Sequence, residues 1–118
     1  MENQDINNCI VKTSYYCQSL YTSINVFIEI TEMRKYDILS NLLMKIIEDT
    51  SQCINFYSKL NFQVSLIDNI NNSLKLLIDA YSNLDYFYIK DILEYELLNN
   101  IENIFENLKF FIKNKEEK

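Results

Sequence analysis

Apolar residues recur along this chain at alternating steps of three and four, the spacing that gathers them on one face of an α-helix. Four such stripes follow one another. The first is Ile10, Thr13, Cys17, Leu20, Ile24, Phe27 and Thr31. The second is Leu39, Leu43, Ile46, Thr50, Cys53, Tyr57 and Leu60, with Leu42, Ile47 and Ile54 beside it. The third is Ile67, Ile70, Leu74, Leu77, Tyr81 and Leu84, and the fourth Tyr86, Ile89, Leu93, Leu97, Ile101, Ile104, Leu108 and Phe111. Helices joined by short connections run antiparallel, so the pattern predicts an all-α fold, an antiparallel four-helix bundle. The polar run Asn69–Ser73 leaves a second arrangement open, with a loop there, three long helices and a short one.

Glycine and proline are both absent, so the usual marks of helix ends are missing and weaker signals must place them. Thr31–Lys35 interrupts the first two stripes, Asn61 suits a left-handed C-cap, and Ser65 followed by Asp68 reads as a capping box. Asn83 is expected to close the third helix and Asp85 to cap the fourth. The same absence removes phosphate-cradling glycine loops and tight hairpins.

Length fits one domain over residues 1–118, with ends expected to fray near 1–5 and 114–118. The chain has a net charge of −6, with its basic residues scattered singly apart from Arg34 and Lys35. Phosphate backbones and anionic lipid surfaces need clustered cations, so nucleic acid and membrane are not expected partners. The polar start, Met1–Asn8, lacks the cationic flank and apolar run of a secretion signal. The three cysteines, Cys9, Cys17 and Cys53, leave one unpaired in any disulfide scheme, which fits a reducing compartment. A cytoplasmic protein is the expectation.

Histidine is also absent. The usual general base, the His-activated nucleophiles and the commonest zinc ligand go with it. Asp91 and Glu94, three apart, form a carboxylate pair that would need further acids such as Glu48 and Asp49 to hold a metal or move protons. The expectation is therefore a non-enzymatic protein with no catalytic residues, metal or cofactor.

Two helices carry more apolar surface than one inward face requires. No charge lies between Lys12 and Glu29, and Val11, Tyr15, Val26 and Ile30 project away from the first stripe. On the fourth helix Tyr88 and Tyr95 point away from Leu93, with Asp91 and Glu102 near them. Tyrosine offers contact area at small entropic cost, so Val11, Tyr15, Val26, Ile30, Tyr88, Asp91, Glu94 and Tyr95 are the candidate protein-binding positions, with Tyr36 a further candidate aromatic. The partner expected is an amphipathic helix of a client protein, or a second copy in a homodimer that works as a structural or regulatory bundle.

The segment Asp85–Leu97, with Asp-Tyr, four residues, then Asp-x-Leu-Glu-Tyr-Glu, resembles a stretch found in small bacterial helical-bundle proteins. Asp85, Tyr86, Asp91, Glu94, Tyr95 and Glu96 match that pattern. By size, acidity and helical content the chain is also similar to flagellar export chaperones of the FliS and FliT type. That resemblance implies a chaperone of the bacterial flagellum or of a secreted client.

Overall fold

A computed structural model describes residues 3–60 and 64–116. Helix α1 spans Asn3–Glu32, α2 Leu39–Ser58 and α3 Val64–Ser82. Helix α4 begins as Tyr86–Ile92, passes through a π-helical turn at Leu93–Leu97 and continues as Leu98–Glu116. A short 3₁₀ turn, Tyr36–Ile38, leads into α2. The result is an all-α bundle of four helices, 50 × 22 × 19 Å. Asn69–Ser73 continues α3, so the arrangement with a short third helix is not the one adopted. Ser65, expected to cap α3, lies inside it, and Asn61 falls outside the described residues.

The inward faces of α1 and α2 are the two stripes the sequence shows. Leu20, Ile24, Phe27, Leu39, Leu43, Ile46, Cys53 and Tyr57 are buried together. Burying each such side chain contributes roughly 1.5–3 kcal/mol against leaving it in water. Three threonines interrupt this core without cost in unpaired groups. Thr13, Thr31 and Thr50 are buried, and each hydroxyl donates to the carbonyl four residues earlier: Cys9, Phe27 and Ile46, at 2.6, 2.8 and 2.7 Å.

Helix α3 buries Ile70 and Leu77 of its expected stripe but is rotated slightly from the face its hydropathy suggests. Leu66, Ile70, Ser73, Leu77 and Ala80 are buried, while Ile67, Leu74 and Tyr81 flank them and Leu84 is exposed. Small Ser73 and Ala80 let α3 close on its neighbours, with the Ser73 hydroxyl donating to the Asn69 carbonyl.

The π turn in α4 has a cause in the stripe itself. Ile89, Leu93, Leu97 and Ile101 are all buried at three consecutive steps of four. Twelve residues exceed three α-turns by about 1.2 residues, and one π turn absorbs roughly that excess. The stripe then resumes with Ile104 and Leu108, both buried; the side chain of Phe111 lies outside those described.

Without glycine, two larger residues take the left-handed conformation that ends a helix. Arg34 has φ 59° and Leu84 φ 54°. Around each, the following amide reaches five residues back, Lys35 N–H to the Ile30 carbonyl and Asp85 N–H to the Ala80 carbonyl. The left-handed residue itself bonds to Thr31 or Tyr81. These are Schellman closures, with Asn83 as the residue just before the left-handed one. Asp85 then caps α4 as expected, its carboxylate accepting from the Tyr88 amide at 3.1 Å. Tyr36 stacks on Tyr86 with ring centres 5.2 Å apart, so the two connections at this end of the bundle brace one another.

Candidate functional site

Helix α1 lies between α2 and the second half of α4, which leaves one long side of it facing out. Val11 is 64% exposed, Tyr15 63% and Val26 40%, while Ile30 is half-buried against the core. Most of the surplus inferred from the sequence is therefore left uncovered by the other described residues. Tyr21, 54% exposed, adds to the same uncharged stretch.

Beside this face runs a cleft of about 430 Å³ between α1 and the later part of α4. Buried Cys17 and Ile101 form its floor with half-buried Phe105, Tyr21 and Thr22 line the α1 side, and Glu102 and Glu106 the α4 side. Lys109 reaches Glu106 at 3.3 Å and lies 5.0 Å from the centre of the Phe105 ring. The cleft is apolar at the bottom and acidic along one edge. Sequence reasoning missed it, because Cys17 and Ile101 come together only once the register between α1 and α4 is fixed.

The α4 candidates sit elsewhere. Tyr88 is 45% and Tyr95 70% exposed, Asp91 is exposed and Glu94 half-buried. Tyr95 follows the π turn's start and lines a second, polar cleft of about 330 Å³ between α3 and α4, with Asn69, Asn72, Glu96 and Asn99. Tyr36 is half-buried in its stack on Tyr86, so it serves the joint between the two connections and not an open surface.

The titratable groups have structural explanations. Asp49 accepts from Lys45 at 2.6 Å and from the Ser19 hydroxyl at 3.1 Å, tying α2 to α1. Cys17 and Cys53 face each other with Sγ atoms 3.8 Å apart. That thiol–thiol hydrogen bond, together with burial, pushes the Cys53 thiol far up, and a protonated thiol is a poor nucleophile and metal ligand. Burial also raises the Tyr57 phenol, opposed by the Asn107 side-chain amide, which donates to it at 2.8 Å. Among the described residues no group of three or more His, Cys, Asp or Glu side chains is placed to hold a metal ion. No described helix is long and apolar enough to cross a membrane.

A family model described as a domain of unknown function, DUF8042, matches residues 8–107, nearly the whole bundle. The chain belongs to that family. No curated protein and no solved structure matches it.

Proposed function

We propose that this member of the DUF8042 family is a non-enzymatic protein-binding module that holds an amphipathic helix of another protein in the cleft between α1 and α4. The observation that carries the reading is the cleft's construction: an apolar floor of Cys17, Ile101 and Phe105 beside a charge-free stretch of α1. A helix with apolar side chains three or four positions apart would bury them against that floor, as helix-in-groove partners do. Glu102 at the edge, beside Glu106 in its pair with Lys109, favours lysine or arginine on the flank of that helix, which would speed association and fix its orientation.

A more specific reading, supported by the resemblance to flagellar export chaperones, is a cytoplasmic chaperone for a flagellar or secreted client. The net charge of −6 would help keep such a complex soluble while the client's apolar segment is covered.

Binding of a labelled cationic amphipathic helical peptide, followed by fluorescence anisotropy, tests the reading. Tyr21→Arg places a cation on the exposed α1 edge of the cleft and is expected to weaken binding by about tenfold or more. A wild-type protein that does not bind such peptides, or binding that Tyr21→Arg leaves unchanged, would overturn it.

A further inference from the structure

We infer that the outward side of α1 pairs with the same helix of a second copy, antiparallel, about a two-fold axis that passes between residues 20 and 21. This inference stands apart from the cleft reading, since the stripe concerned runs along the outward side of α1, where only Ser19 reaches α2 through Asp49 and Lys45, and shares only Thr22 with the cleft.

The outward positions 8, 12, 15, 19, 22, 26, 29 and 33 repeat at steps of four and three without a break, the seam of a two-helix packing. All are exposed except half-buried Ser19. Reversed upon itself about that axis, the stripe matches its own chemistry. Lys12 falls opposite Glu29 of the second copy, and by symmetry the contact occurs twice. Tyr15 falls opposite Val26, with Val11 and half-buried Ile30 alongside, so the exposed apolar residues of this stripe meet one another while Tyr21 stays with the cleft. The centre brings Ser19 against Thr22, both small enough for close approach of the backbones.

The register is selected by charge. A shift of one heptad in one direction sets Glu29 against Asp5, acid on acid, and a shift in the other carries the partner of Lys12 to Tyr36, beyond the end of α1. Among the described residues the ion pairs are Lys45–Asp49, Lys90–Glu32 and Lys109–Glu106, so Lys12 and Glu29 remain available to a partner. The Lys45–Asp49 pair near the axis is internally neutral and adds no like-charge repulsion there. A self-complementary patch of this kind gives a closed dimer and not a filament.

Sedimentation equilibrium over a wide concentration range tests the pairing. Wild type is expected to show a monomer–dimer equilibrium. Lys12→Glu and Glu29→Lys each create two like-charge contacts and are expected to raise the dissociation constant about tenfold or more, while the double exchange Lys12→Glu/Glu29→Lys restores the wild-type value. Asn8→Cys/Met33→Cys, two exposed positions too far apart along α1 to bridge within a chain, is expected to give a covalent dimer on mild oxidation. A wild type that stays monomeric into the hundreds of micromolar, or a dimer indifferent to both single charge reversals, would overturn the inference. Tyr21→Arg provides the separation from the cleft reading: it is expected to weaken peptide binding by about tenfold or more and leave the dimer intact.

Discussion

Helices α1 and α4 flank the same cleft, yet their outward sides obey different rules. Helix α4 also exposes apolar residues, among them Tyr88, Tyr95 and Phe110, but interleaves them with Lys90, Asp91, Glu96, Glu102, Glu106 and Lys109 at solvent-facing or edge positions. Helix α1 presents Val11, Tyr15, Tyr21 and Val26 to the same solvent with no charge between Lys12 and Glu29. Both bury their inner stripes equally well, so the difference is not a matter of core formation. The uncharged outer stretch of α1 is the feature on which the proposed contacts with protein rest.

The most severe way to break the contrast is from the inside. Phe27→Ala on the buried side of α1 is expected to lower unfolding free energy by about 3–5 kcal/mol, through lost burial and the cavity left behind, as urea denaturation would record. At the head of α4, Asp85→Ala removes the carboxylate that caps the helix and should cost about 1 kcal/mol. Leu84→Gly has the opposite sign: relief of a left-handed leucine, offset in part by glycine's entropy in the unfolded chain, should add about 0.5–1 kcal/mol. On the outer side of α1, Val26→Glu is expected to shift stability by no more than about 0.5 kcal/mol while abolishing self-association. A large destabilisation by Val26→Glu would mean that the outer face belongs to the core after all, and the contrast with α4 would vanish.

Much of this architecture is readable along the chain because α1 and α2 bury large side chains at helical spacing. Helix α3 is less legible for a physical reason. Its contact line uses Ser73 and Ala80, whose value lies in being small, so hydropathy points to Ile67, Leu74 and Tyr81 one step round the helix. The π turn was encoded in the run of fours from Ile89 to Ile101, a signal that a count of apolar residues passes over. Leu84 and Arg34 as left-handed residues had no such signal, since closure falls to whatever residue occupies the position when glycine is missing. For the site, the charge-free stretch of α1 was visible as sequence, whereas the cleft depends on how far α4 slides along α1, which only tertiary packing decides.

The central claim, that protein partners cover the outer side of α1 and its cleft, is tested most directly by methyl NMR with two built-in controls. Ile78 and Leu84 are 55% and 63% exposed and belong to α3 and the connection that follows it, outside both α1 and the cleft lining. Dilution is expected to move the Val11 and Val26 methyl signals and a cationic amphipathic peptide to move Ile101, with Ile78 and Leu84 still under both. Equal shifts at all exposed methyls, or shifts confined to Ile78 and Leu84, would contradict it.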